Sequence, residues 1–297
     1  MEYIVETKNL VKKFPNKLAV NQVNMHIKEG DIYGFIGKNG AGKTTTMKLL
    51  LGLIRPTSGE IVLFGNKKLN VGRKMIGSLI EAPGLYKNCT AYENLKRFSI
   101  LYGGNEKDIQ EILEMVGLSN TKERKVKDFS LGMKQRLGIA IALLGNPKLL
   151  VLDEPINGLD PAGIKEIRDT ILRLNKEKKV TFLISSHLLD ELSKIVTTYG
   201  IVNDGVLVEE IEAKELEKRC MNSLKIQVSN TKQALNILKT NFFIEQYEVK
   251  ENTIYLYQAL NQSSEINKKL ILNGIDVSEI TKSENSFENY FIERIGK

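Results

Sequence analysis

The chain has 297 residues, of which 42% are hydrophobic and 27% charged, and a formal net charge of +7. That length suits one large domain or two smaller ones, and the apolar share is enough for a packed core, which excludes a disordered chain. No block of five or more basic residues and no interleaving of aromatic with basic residues marks a nucleic-acid groove, so the positive balance reads as a lysine-rich solvated surface.

From the N-terminus, Met1-Glu2-Tyr3-Ile4-Val5-Glu6 has no basic n-region and no long apolar run, unlike a signal peptide. No apolar run reaches the ~20 residues that span a bilayer. The expectation is a soluble, cytoplasmic protein that can dock on a membrane protein. Alternation in Tyr3–Val5 and Val23–Ile27, joined through Pro15-Asn16, predicts strands. Ile32–Ile36 predicts a buried strand, and Lys43–Leu53 a helix, with Met47, Leu50, Leu51 and Ile54 at helical spacing. Ile61–Phe64 before Gly65-Asn66 predicts a further strand. Ala91–Leu144 is helical in pattern, with breaks at Gly103-Gly104 and near Lys127-Asp128.

Leu149–Leu152 is a continuous apolar run between Pro147 and Pro155, as in a parallel strand buried on both faces. Asp160-Pro161 reads as an N-cap followed by proline at the first helical position, and Ile164, Ile167, Ile171 and Leu174 form the apolar face of that helix. Val180–Ile184 predicts a second buried strand. Ile201-Val202 and Val206-Leu207-Val208 flank Asn203-Asp204-Gly205, a hairpin signal. Glu209–Arg219 is charged and reads as a helical linker. Beyond it, strands at Leu224–Val228, Ile254–Tyr257 and Val277–Ile280 alternate with helices at Lys232–Leu238, Ile266–Leu272 and Phe287–Ile295, which predicts a small α+β domain. Cys89 and Cys220 lack a cysteine or histidine at metal-ligand spacing, so both read as free thiols of a reducing compartment.

Three stretches carry chemistry. Gly37-Lys38-Asn39-Gly40-Ala41-Gly42-Lys43-Thr44 fits G-x-x-x-x-G-K-[ST] between a predicted strand and a predicted helix. Its glycines let the backbone turn N–H groups onto phosphate oxygens, Lys43 reaches the β/γ-phosphates, and the Thr44 hydroxyl suits Mg²⁺, with Thr45 beside it. The strand Leu149–Leu152 ends in Asp153-Glu154, one carboxylate to hold Mg²⁺ and a second to orient or deprotonate the attacking water. Ser185-Ser186-His187 follows the second buried strand and offers one imidazole. The predicted ligands are a nucleoside triphosphate and Mg²⁺.

These motifs and their order resemble the ATP-binding subunit of an ABC transporter, over about residues 1–215. The resemblance implies ATP as the nucleotide and an α/β P-loop NTPase with a mixed sheet core, an antiparallel subdomain and a helical subdomain. The remainder, residues 216–297, is expected to be the accessory α+β domain. The resemblance also implies that Phe14 stacks on adenine and that Phe129-Ser130-Leu131-Gly132-Met133-Lys134-Gln135-Arg136 is a divergent LSGGQ signature. There Ser130 and Gly132 would meet the γ-phosphate of ATP held by a second subunit. Asn157-Gly158-Leu159-Asp160 resembles the D-loop at that dimer interface, and His187 the switch histidine on γ-phosphate. Glu81 stands where most members have glutamine, at a position that senses Mg²⁺ and water.

Glu81, with Leu85-Tyr86, Thr90–Leu95 and the signature, resembles the subgroup that exports bacitracin and lantibiotic-type peptides. Such a resemblance implies an ATPase, with Lys43, Glu154 and His187 catalytic and Thr44, Glu81 and Asp153 at the metal. It would dimerise and sit on the inner face of the cell membrane through a separate permease, which alone contacts the exported substrate. The alternative of a different class is a non-transport ABC ATPase acting on ribosomes or nucleic acid. Such relatives carry a fused second unit or a long inserted coiled coil, and the stretch from Lys43 to Phe129 is too short for the coil. A regulatory module without turnover is disfavoured by the presence of both Glu154 and His187.

Overall fold

A computed structural model describes residues 3–102, 105–283 and 286–296. The expected helix break at Gly103-Gly104 lies outside the described residues. The chain divides between Ala213 and Lys214 into two compact units.

The first unit runs β1 (Tyr3–Phe14), β2 (Lys17–Val23), β3 (His26–Lys28), β4 (Ile32–Ile36), α1 (Lys43–Leu51), β5 (Ser58–Leu63), α2 (Leu69–Arg73) and β6 (Ile76–Leu79). Three helices follow, α3 (Ala91–Tyr102), α4 (Asp108–Met115) and α5 (Leu131–Leu143). Then come β7 (Leu149–Asp153), α6 (Pro161–Lys178), β8 (Thr181–Ser186), α7 (Leu189–Leu192), β9 (Thr198–Asn203) and β10 (Val206–Glu212). Six strands form one sheet in the order β10-β9-β4-β8-β7-β6, parallel except for the β9–β10 hairpin. β4 and β7 are buried at every position, as strands covered on both faces are. A separate antiparallel sheet joins β2, β1 and β3, with β5 paired to β1. Its inner face meets α1 in a core that includes Val5, Leu10, Val20, Met47 and Leu50.

Helix ends follow local chemistry. α1 stops at Leu51 because Gly52 takes a left-handed turn (φ 76°) and closes the last carbonyls, two residues short of the expected Leu53. The hairpin tip Asp204-Gly205 has positive φ at both positions (44° and 80°), the geometry that a tight two-residue turn demands.

One expectation is overturned. Glu209–Glu212 is not helical but prolongs β10, pairing down to Glu212 opposite Thr198, and the helix α8 begins only at Ala213 (Ala213–Arg219). The carboxylates find partners there. Glu210 accepts hydrogen bonds from the His26 backbone N–H (2.8 Å) and the Tyr33 hydroxyl (2.7 Å), and Glu212 pairs with Lys28 (2.7 Å). Burial, then the adjacent Glu210 charge, pushes the Tyr33 phenol well above its usual pKa, so it stays a donor.

The second unit continues β11 (Ser223–Val228), α9 (Thr231–Phe242), β12 (Tyr247–Lys250), β13 (Thr253–Leu256), α10 (Ser263–Leu272), β14 (Val277–Ser283) and α11 (Phe287–Ile295). Its sheet is antiparallel in the order β12-β13-β11-β14, a β-α-β-β-α-β arrangement. One face is sealed by α9 and α10, whose Leu238 and Leu270 join Leu224, Ile226 and Ile254 in one core.

Candidate functional site

The site grows from the carboxyl ends of β4, β7 and β8, which lie side by side in the parallel sheet, where ligands of such sheets bind. β4 leads into the loop 37–42, and two of its glycines are sterically obligatory. A Cβ at Gly37 would run into the Val202 carbonyl. At Gly42 it would strike the Ala19 carbonyl, and the backbone there is left-handed (φ 105°). The hairpin tip backs this loop: Gly205 N–H donates to the Ala41 carbonyl (2.9 Å), and Asn21 N–H donates to the Gly205 carbonyl (2.8 Å).

Lys43 is 5% exposed, and its Nζ donates to the Gly37 (2.7 Å) and Lys38 (3.2 Å) carbonyls. It also lies 3.3 Å from Glu154 Oε1, a buried oxygen that accepts no hydrogen bond. Glu154 Oε2 lies 2.8 Å from His187 Nδ1. Glu154 has a left-handed backbone (φ 49°), which turns the chain sharply at the end of β7. Beside this trio, Thr44 Oγ1 donates to Asp153 Oδ2 at 2.8 Å. Thus Lys43, Thr44, Asp153, Glu154 and His187 converge from three elements.

A cleft of about 280 Å³ opens over Lys43, Thr44 and Glu154, lined also by Phe14, Asn39, Gly40, Gly42 and Thr45. Phe14, at the end of β1, is 40% exposed, with Lys12 Nζ 5.1 Å from its ring centre. Lys17 also reaches the cleft, its Nζ donating to the Gly40 carbonyl (2.9 Å).

Four expected residues, Ser130, Asp160, Gly132 and Glu81, stand away from this cluster. Ser130 is the N-cap of α5 and accepts from Met133 N–H (3.2 Å). Asp160 is the N-cap of α6 and accepts from Gly163 N–H (3.1 Å). Gly132 faces the same pair of helix starts: a Cβ there would lie 3.5 Å from Gly163 Cα, an ordinary contact, so packing within this chain does not require glycine. Glu81 also stands apart from Thr44 and Asp153. Its carboxylate pairs with Lys48 of α1 at 2.8 Å and its side chain is 69% exposed.

Two participants were missed in the sequence. Lys17 carried no motif, only its place three residues after Phe14. Ser185 donates to Asp153 Oδ1 (2.5 Å) and accepts from Glu154 N–H (2.9 Å). Its signal was its place two residues before His187 at the end of a buried strand.

Comparison with known proteins bears on this arrangement. A family model described as "ABC transporter" matches residues 20–157. The bacitracin transport ATP-binding protein BcrA of Bacillus licheniformis is 48% identical over 303 positions, covering 100% of this chain and 98% of that protein. The lantibiotic transport ATP-binding protein SrtF of Streptococcus pyogenes is 46% identical over 209 positions, covering 70% of this chain and 91% of that one. Among solved structures, the dimeric post-hydrolysis state of the ATP-binding cassette MJ0796 with ADP and Pi matches with a TM-score of 0.61 and 27% identity. That match covers 70% of this chain and 98% of the other.

Proposed function

From the premise that the chain belongs to the ABC transporter family as an ATP-binding subunit, we propose that its ATPase cycle drives export of a peptide antibiotic of the bacitracin or lantibiotic kind through a separate membrane permease. The observation that carries the reading is the convergence of Lys43, Glu154 and His187 above the Thr44–Asp153 pair. ATP binding and hydrolysis are the family's reaction.

In the proposed cycle, the loop 37–42 and the N-terminus of α1 present N–H groups to the β- and γ-phosphates, and Lys43 adds a fixed positive charge. Phe14 stacks on the base. Thr44 and Asp153 offer a hydroxyl and a carboxylate oxygen. So sparse a set of hard donors suits Mg²⁺, which shares its shell with substrate phosphates and water. When bound, Mg²⁺ neutralises phosphate charge. Glu154 takes the proton of the attacking water. His187 meets Glu154 through Nδ1, which leaves Nε2 to face the γ-phosphate. This is catalysis by positioning and charge stabilisation.

Two copies are proposed to close head to tail, each contributing the first turn of α5 to the other's ATP. Ser130 caps that turn, and the freedom at Gly132 suits close approach of an outside anion. Asp160 lies at the adjoining helix start. The dimeric state of a structural relative supports this reading. Among the described residues no helix is long and apolar enough to cross a membrane, in keeping with attachment through a permease at the inner face.

The test is affinity purification from membranes of Glu154→Gln trapped on ATP. Turnover is expected to fall at least a hundredfold while a stable ATP-bound dimer co-purifies with a permease. Ribosomes or nucleic acid in place of a permease, or undiminished turnover, would overturn the reading.

A further inference from the structure

We infer that Ser185 is a positioning residue for hydrolysis: its hydroxyl fixes Asp153 and Glu154 relative to each other. The inference rests on the ATPase function proposed for this site. β7 and β8 run parallel in a register that sets Asp153 directly beside Ser185. Ser185 is fully buried, and Asp153 is 6% exposed. The single hydroxyl proton goes to Asp153 Oδ1 at 2.5 Å, a short charge-assisted bond, while the oxygen accepts Glu154 N–H at 2.9 Å. One side chain therefore grips the side chain of the first carboxylate and the backbone of the second.

Each grip has a counterpart. Asp153 Oδ2 is held from the opposite side by Thr44, so the carboxylate is pinned at both oxygens and its plane is fixed. Glu154 is pinned at its backbone by Ser185 and at its carboxylate by His187, two residues further along the same chain end. Glu154 needs this second grip because its left-handed backbone (φ 49°) is strained for a residue with a Cβ, and such a conformation persists where surrounding bonds over-determine it. Without the hydroxyl, Glu154 N–H loses its acceptor in a part-buried position and the buried Asp153 Oδ1 loses its donor. Asp153 then swings about the Thr44 contact, and Glu154 relaxes away from the line of attack.

Ser185 is fully buried, so ATP in the cleft has no contact with its side chain to lose. The effect belongs to the metal-dependent and hydrolytic steps. Ser185→Ala is expected to lower kcat about tenfold to a hundredfold, the scale of one charge-assisted hydrogen bond. Affinity for a non-hydrolysable ATP analogue in EDTA should stay within about twofold of the parent, while the gain in affinity on adding Mg²⁺ shrinks by a similar tenfold. Ser185→Cys keeps the shape with a weak donor and should fall between the two in kcat, which separates the hydroxyl's role from packing. Parental turnover in Ser185→Ala would overturn the inference. So would a fall in kcat matched by an equal loss of metal-free analogue affinity, because that marks a general framework role. Undiminished turnover in Glu154→Gln would instead remove the functional reading beneath it, so the two failures are distinguishable.

Discussion

Glu81 has a left-handed backbone (φ 62°) and gives its carboxylate to Lys48, one turn beyond Thr44 on α1. The hydrogen bond from Lys48, then its charge, holds the Glu81 pKa below the usual carboxylate range. A depressed pKa means that the pair is intact above the ordinary glutamate range and is lost as pH falls through the lowered value. An NMR titration of the Glu81 carboxyl should show a midpoint below ordinary glutamate, and Lys48→Ala should return it to the normal range. The pair is exposed, so Lys48→Ala should leave the melting temperature unchanged, and high salt should mimic it in the titration. A glutamine at 81 could not make this ion pair, so the sequence departure and Lys48 are two halves of one feature. The sequence showed the charge at 81 but not its partner, because which face of α1 meets the loop after β6 depends on tertiary packing.

Among the elements, α5 and α6 begin with side-chain caps and are tied together further along by Arg136. Its guanidinium donates to the Val116 (3.0 Å) and Gly117 (2.9 Å) carbonyls at the end of α4 and pairs with Glu166 of α6 (2.9 Å). Arg136 is 8% exposed, so Arg136→Ala strands two carbonyls and should cost roughly 2–3 kcal/mol in urea unfolding. Ser130→Ala should cost only about 1 kcal/mol in the same measurement, the ordinary value of an N-cap. Elements with strong local signals were legible: the phosphate loop with its flanking strand and helix, the Asp160-Pro161 helix start and the Asp-Gly hairpin. Others depend on partners far along the chain. β6 (Ile-Gly-Ser-Leu) and β12 lie at sheet edges with little apolar patterning, and pairing with β7 and β13 defines them. The acidic end of β10 suited a helix until His26, Lys28 and Tyr33 supplied its counter-groups. Ser185 was hidden for the same reason, since only the parallel register sets it beside Asp153.

For the whole molecule, two separate cores mean that nucleotide stabilises the chain unevenly. A non-hydrolysable ATP analogue with Mg²⁺ at a hundred times its Kd should add about 2.7 kcal/mol to the unit that binds it. Hydrogen exchange should slow in β4, α1, β7 and β8, while β11, β13 and β14 exchange at their former rate. Equal slowing in both units would show that they open as one. The β9–β10 hairpin tip has a further consequence, one for protein engineering. A short polar turn is ordinarily the first choice for splicing in an epitope tag or a reporter. Here Gly205 bonds both Ala41 within the phosphate loop and Asn21 of β2, so the tip is a buttress disguised as a surface turn. A tag spliced between Asp204 and Gly205 should cripple nucleotide binding, whereas one beside the 82% exposed Phe243 should be silent.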